Sequence, residues 1–262
     1  MDNRAIGVFD SGLGGLSAVK ELKRVLPKEN IIYFGDTGRV PYGTRSLKTL
    51  HRYTNEDIAF LKTKDVKMIV AACGTVSSTI TDEMIKNAQS EFLGVVSPTA
   101  KVAVLSSKTG KIGVIGTSAT VRSGAFEKEI KRLAPSAEVF SKACPLFVPL
   151  VENGLVSGEI TKAVAKMYLS DLPEIDTLVL GCTHFPLLKE TIAEILPNVT
   201  LIDSGKAVAD EVKRVLEQKD MLSQNGGEAK YFVSDSVSDF KKLSSLFLGE
   251  NDVGDVERVE FE

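Results

Sequence analysis

Two of the three cysteines in this chain stand where chemistry is possible. Cys73 closes the apolar run 68–72 and is followed by Gly74-Thr75; Cys182 closes the run 177–181 and is followed by Thr183-His184. In open α/β sheets, ligands collect beyond the carboxyl ends of the strands. A thiol at that place, with a helix opening behind it, meets free backbone N–H groups and the positive end of the helix dipole, and both favour its thiolate. A lone free cysteine more often serves as a small buried hydrophobe. Two at matching places in one chain turn the balance toward function. Cys144, in Lys142-Ala143-Cys144-Pro145, has no counterpart and reads as a buried spectator.

Paired thiols admit a few chemistries. Disulfide redox favours close spacing such as C-x-x-C, which is absent. Zinc takes four ligands, or three and a water; Cys73, Cys182 and His184 supply three on paper, without finger-like spacing, so no metal is expected. A Cys–His nucleophile would have to form between Cys182 and His184, two positions apart, whereas hydrolase pairs are usually distant in sequence. Acid–base work on carbon remains. Two thiols facing each other across a substrate can take a proton from one face and return one to the other, provided each lies within hydrogen-bond reach of it. With only His51 and His184 in the chain, clusters of histidine ligands are ruled out.

The elements that must carry these thiols follow a repeating pattern. Short apolar runs at 5–9, 30–35, 66–72, 93–96, 111–115, 138–142, 177–181, 200–203, 229–234 and 256–261 read as strands. Stretches of helical spacing lie at 16–26, 47–62, 75–87, 121–133, 157–169, 185–196, 206–217 and 237–248, with 145–150 a Pro-bounded loop. Uninterrupted apolar strands alternating with amphipathic helices predict α/β architecture with largely parallel sheets covered on both faces. There is a faint internal repeat: Ile6-Gly7-Val8-Phe9-Asp10-Ser11 is echoed by Ile112-Gly113-Val114-Ile115-Gly116-Thr117, and the run ending in Cys73 by the run ending in Cys182.

Composition narrows the setting. With 262 residues, one or two domains fit. Net charge is −3 and no dense Lys/Arg stripe appears, so nucleic acid is not an expected partner. No apolar run nears the roughly 18 residues of a membrane span, and the N-terminal apolar segment is too short for a signal peptide. Scattered, odd-numbered cysteines suit a reducing compartment, so a cytoplasmic location is expected, with no membrane partner.

Supporting groups fall at strand ends and turns. Asp10 leads into Ser11-Gly12-Leu13-Gly14-Gly15, a turn that lets backbone approach a ligand and can bind an anion at a helix N-terminus; Asp10 can equally cap that helix. The turn lacks the third glycine of a dinucleotide fingerprint, having Ser17 there. Ser11, Thr75, Thr117 and Thr183 are hydroxyls that could hold a carboxylate or cap helices. Pro41-Tyr42-Gly43 could pass over a site, and Glu152 lies in a polar turn.

These residues together resemble the glutamate racemase family across essentially the whole chain. The likeness is carried by GVFDSGLGG at 7–15, YFGDTGRVPYG at 33–43, AACGT at 71–75, IGVIGT at 112–117, VPLVENG at 148–154, LGCTHFPLL at 180–188 and IDSG at 202–205. The resemblance implies cofactor-independent interconversion of L- and D-glutamate, the D-isomer going to peptidoglycan. It implies that Cys73 takes the α-proton of the D-isomer and Cys182 that of the L-isomer. Asp10, with Asp36 nearby, would assist Cys73; Glu152 and His184 would assist Cys182. Substrate contacts would fall on Asp10, Ser11, Tyr42, Gly43, Gly74, Thr75, Thr183 and His184, joined by Thr117 and Thr120. The family's two pseudo-symmetric α/β domains, with the site in the cleft between them, would here be 1–97 plus 207–262 and 98–206, and a homodimer is compatible with the likeness. One departure stands out: the family usually has Asn after the first cysteine, where this chain has Gly74. A lost hydrogen bond to a charged group costs roughly 1.5–3 kcal/mol, so the change bears on substrate affinity and selectivity.

Overall fold

Ile6–Asp10 (β1) is buried at every position, as a strand covered on both faces requires. A computed structural model, describing residues 1–249 and 253–260, places β1 between Ile31–Gly35 (β2) and Met68–Ala71 (β3), with Glu91–Gly94 (β4) beyond β3. A second sheet is built from Lys111–Gly116 (β5), Glu138–Ala143 (β6), Thr177–Leu180 (β7) and Thr200–Asp203 (β8). The chain then returns: Ala229–Val233 (β9) pairs with β2, and Val256–Arg258 (β10) with β9. Every one of these pairings is parallel. The α/β reading with two parallel sheets holds.

The faint sequence repeat has a topological counterpart. The first sheet runs β10-β9-β2-β1-β3-β4 and the second β6-β5-β7-β8. Apart from the two C-terminal additions, the orders correspond strand for strand: β1 with β5 in the middle, β3 with β7 beside it. Cys73 follows β3 and Cys182 follows β7, so the thiols occupy equivalent strand ends. Ile6 and Val8 send their side chains into one apolar cluster and Phe9 into another, the alternation of a strand packed on both sides. The helix Ser204–Gln218 lies against both Leu16–Val25 and Val96–Ser106, joining the layers of the two sheets.

Several elements differ from the sequence expectation, mostly for one reason. The helix Val96–Ser106 carries Pro98 in its first turn, and Phe147–Glu152 likewise carries Pro149. The sequence predicts a strand over 93–96 with no helix behind it and a Pro-bounded loop at 145–150, yet proline fits a first helical turn, which needs no intrahelical N–H. The stretch 75–87 divides into Gly74–Ser77 and Asp82–Ala88. Thr79 donates its hydroxyl to the Thr75 and Val76 carbonyls, and Thr81 caps the next helix by accepting from the Met84 amide. The stretch 121–133 divides at Gly124, whose φ of +64° ends Ser118–Ser123 and opens Ala125–Leu133. Position 261 of the last expected strand lies outside the described residues. Among the described residues no helix is long and apolar enough to cross a membrane.

The return of the chain is pinned by a buried ion pair. Lys67 Nζ stands 2.6 Å from Glu29 Oε2 and donates to the Asp2 and Met221 carbonyls, while Glu29 Oε1 accepts from the Ser223 amide. Breaking a buried pair from one side leaves a charge without compensation. Lys67→Met is therefore expected to destabilise the protein by about 3–5 kcal/mol, read as a lower urea midpoint at unchanged slope. A loss below about 1 kcal/mol would mean the pair behaves as an exposed one.

Candidate active site

The two cysteine-bearing strand ends face each other across a narrow cleft of about 30 Å³. Its walls include Ser11, Tyr42, Gly43, Cys73, Gly74, Thr75, Thr117, Glu152, Cys182, Thr183 and His184. Residues expected from sequence, more than a hundred positions apart in the chain, are thus brought together. Asp10 and Thr120 sit behind the walls: Asp10 is fully buried, and Thr120 Oγ1 joins Thr117 Oγ1 (3.0 Å) and Thr75 Oγ1 (3.4 Å). Gly12, Val40, Pro41 and Val148 also line the cleft. Val148 went unnoticed because 145–150 read as a loop; its helix aims Glu152 inward.

Cys73 precedes the short helix Gly74–Ser77 and is only 5% exposed. Burial, reinforced by the charge of Asp10, pushes its thiol up to about 12, although Ser11 and the Val76 amide pull the other way. Its Sγ donates toward Ser11 Oγ at 3.5 Å. The helix-end effect expected from sequence is thereby outweighed by desolvation: a four-residue helix has little dipole to offer.

Cys182 has a different neighbour. Its Sγ lies 3.9 Å from His184 Nδ1, and His184 Nε2 lies 3.2 Å from Glu152 Oε1. Burial works against a charged imidazole here, but the bonds to Cys182 and Glu152 and the charges of Cys182 and Asp10 outweigh it and raise His184 to about 10. An imidazolium, both a cation and a proton donor, therefore stands beside the Cys182 sulfur. The His184 ring is also held edge-on by Phe247, with centroids 5.4 Å apart.

Asp10 ties the halves together. Its Oδ2 accepts from the Gly12 amide at 3.0 Å, and its Oδ1 from Thr183 Oγ1 of the other strand end at 3.4 Å. Burial pushes the Asp10 carboxyl above the usual carboxylate range, against the pull of His184 and of the Gly12 and Gly15 amides. The glycine-rich turn thus spends amides on its own carboxylate instead of a ligand. Gly14 lies so close to His184 that a Cβ would come within 2.6 Å of Nδ1, which explains a glycine there.

Two expected residues point elsewhere. The Tyr42 hydroxyl is bonded to Asp36 and to Asp57 Oδ2, and Asp36 also accepts from Arg39 Nε (2.6 Å) and Ser234 Oγ (2.7 Å). Tyr42 therefore lines the cleft without presenting its hydroxyl, and Asp36 serves this buried network, not Cys73. The network holds the turn Tyr42–Thr44 against the helix Ser118–Ser123. Gly74 is packed on the Gly181 carbonyl, and a Cβ at Gly74 would overlap that oxygen. In this arrangement there is no room for the side-chain amide that the resemblance leads one to expect. Among the described residues no group of three His, Cys, Asp or Glu side chains is arranged to hold a metal ion.

The raised pKa of His184 carries a sign for stability. Relative to an ordinary value of 6.5, the folded state holds the proton up to about 10. The stabilisation from this group is fully present below pH 6.5 and is lost as pH rises through about 10. The Tm difference between the wild type and His184→Gln is expected to shrink across that window; a difference independent of pH would contradict the imidazolium.

The sequence matches the family model described as Asp/Glu/Hydantoin racemase over residues 6–212. It is 45% identical to a glutamate racemase of Geobacter metallireducens over 99% of this chain and 97% of that one. The glutamate racemase of Francisella tularensis, solved in complex with D-glutamate, superposes with a TM-score of 0.93 at 39% identity, covering 99% of this chain and 98% of that one. A glutamate racemase isoform of Bacillus anthracis gives 0.95 at 37% identity with the same coverage. The chain belongs to the Asp/Glu/hydantoin racemase family.

Proposed function

We propose that the protein is an isomerase that interconverts L- and D-glutamate with its two thiols as the proton carriers. The observation that carries this reading is the pair of cysteines at equivalent ends of β3 and β7, both lining one cleft. Identity of 45% to a glutamate racemase, and a relative solved with D-glutamate, support glutamate as the substrate. The D-glutamate supplied would enter peptidoglycan synthesis. The domain division at 97/98 and 206/207 belongs to the same proposal, as do a cytoplasmic setting and a homodimer.

In this reading Cys182, flanked by the His184 imidazolium, takes the α-proton of L-glutamate as the C–H bond breaks. Cys73 gives its own proton to the opposite face, forming the new C–H bond of the D-isomer. The reverse reaction exchanges the roles. One proton is taken and one given, so no oxidant or reductant is needed. The pKa of about 12 makes Cys73 the proton donor of the resting enzyme. Asp10, bonded to Thr183 and charged toward both Cys73 and His184, adjusts both sides. The difficulty of the step is the charge that builds on the substrate carboxylate as the α-carbon loses its proton. Fixed donors such as the Thr75 and Thr117 hydroxyls suit that task because they need no reorganisation.

Cys73→Ser and Cys182→Ser are each expected to reduce racemisation about 100- to 10,000-fold, the usual weight of a positioned acid or base. Racemisation and deuterium uptake from solvent into each glutamate enantiomer measure this. Wild-type racemisation by Cys73→Ser would overturn the two-thiol mechanism. Binding of glutamate by the wild type with no α-deuterium incorporation would make the protein a binding module, and faster turnover of aspartate would move the substrate.

A further inference from the structure

We infer that Phe247 is a positioning residue: its ring keeps the His184 imidazole aimed at the Cys182 sulfur, and so it serves the side of the reaction that begins from L-glutamate and not the side that begins from D-glutamate. The role rests on the racemase reading, and it falls to a residue outside the lining of the cleft.

Phe247 reaches His184 from far along the chain. It sits in the helix Val237–Leu248, which is formed between β9 and β10 of the first sheet and lies against the helix Leu16–Val25. His184 follows β7 of the second sheet. The ring thus crosses from one sheet's layer to the other's, in the arrangement that sets the two cysteines face to face. The buried face of this helix carries Phe240, Ser244, Phe247 and Leu248. A buried phenylalanine on such a face is ordinary core; its neighbour sets Phe247 apart. Phe240, two turns earlier, meets the rings of Tyr33 and Tyr231. Phe247 meets an ionisable ring, with its plane at 86° to that of His184.

The polar contacts of His184 leave one motion open. Nε2 reaches Glu152 Oε1 at 3.2 Å, and Nδ1 reaches Thr183 Oγ1 at 3.4 Å and Cys182 Sγ at 3.9 Å. These contacts set the direction of the ring within its plane. They are long, so a small tilt of the plane loses the sulfur first, because a donor must stay near the line to its acceptor. Tilt is opposed by bulk. Gly14 stands against the ring on one side, where a Cβ would fall 2.6 Å from Nδ1 and 2.7 Å from Cε1. Phe247, only 2% exposed, stands against it at a centroid distance of 5.4 Å. Perpendicular aromatic pairs at roughly 4.5–7 Å are a preferred contact. Leu243, one turn before Phe247 on the same helix face, lines a pocket of about 250 Å³ that shares Gly12, Val40 and Glu152 with the cleft. Shortening Phe247 opens His184 toward that space and frees the ring to turn. Cys73 has its own supports at the other strand end, Ser11 Oγ and the Val76 amide. The disturbance therefore falls on one thiol.

Racemisation alone cannot read this, since the enantiomers have equal energy and kcat/KM falls equally in both directions whichever side is damaged. Elimination escapes that constraint. The sulfur takes the α-proton, chloride leaves with the C–Cl electron pair, and water converts the resulting enamine to a 2-oxo acid and ammonia. Rates of HCl elimination from the separate enantiomers of β-chlorinated glutamate test the role on the wild type, Phe247→Leu, Phe240→Leu, His184→Gln and the Phe247→Leu/His184→Gln double variant.

Phe247→Leu is expected to slow elimination from the L-enantiomer about ten-fold and to leave the D-enantiomer at the wild-type rate. Phe240→Leu, which removes a ring from the same helix, should lower Tm comparably and change both rates by the same factor. In the His184→Gln background Phe247→Leu should cost nothing further, as expected of a residue that acts through His184. Phe247→Met, which keeps more of the buried volume, carries the same expectation if Phe247→Leu is unfolded at the assay temperature. Unchanged elimination from the L-enantiomer, equal loss on both enantiomers, or full additivity with His184→Gln would overturn the role. A wild type that eliminates from neither enantiomer would overturn the racemase reading itself, and this role with it.

Discussion

A sulfur that is to pick up and release protons pays heavily for being kept from water, and both sulfurs proposed for that role are kept from water. Cys73 and Cys182 are 5% and 6% exposed. At Cys73, desolvation outweighs every favourable contact and the thiol keeps its proton. Around Cys182 a cation is supplied instead, His184, itself held charged by Glu152 and by the sulfur. The same dryness makes the few polar groups in the cleft effective, because charge interactions weaken with surrounding water. Unequal surroundings for two chemically identical side chains give the site a direction at rest: one side holds a proton to give, the other a charged partner.

The fold supplies that dryness by repetition. Two parallel sheets with matching strand order present one thiol each, and the pairing of Thr183 with Asp10 and of Thr75 with Thr117 and Thr120 stitches the strand ends together. Gly14 and Gly74 are where backbone comes close to the opposite side, on His184 and on the Gly181 carbonyl. The absence of a side chain at Gly74 is accordingly a matter of how near the strand ends approach as well as of one fewer donor. Tyr42, Asp36, Asp57 and Arg39 act at one remove, fixing the turn whose Gly43 meets Thr117.

The positions of the thiols were legible because strand-end cysteines followed by Thr or Gly-Thr are unusual, and apolar strands bounded by amphipathic helices leave little choice of architecture. The matching of the halves was legible only faintly, since aliphatic strands resemble one another. Helices opening with Pro98 and Pro149 were hidden because proline in a first turn and proline after a last turn look alike in sequence. The side-chain directions of Tyr42 and Asp36 were not legible at all. They depend on Asp57 and Ser234, which only packing brings near. The same holds for Lys67 and Glu29, whose pairing follows from where the C-terminal return passes.

The central claim is that each thiol serves one face of the substrate. The most direct measurement is elimination of HCl from the separate enantiomers of a β-chlorinated glutamate by the two single-cysteine variants, since elimination needs one base and no second proton donor. Cys73→Ser, which keeps Cys182, is predicted to act on the L-enantiomer alone, and Cys182→Ser on the D-enantiomer alone. Elimination from the same enantiomer by both variants would contradict the assignment of one sulfur to each face.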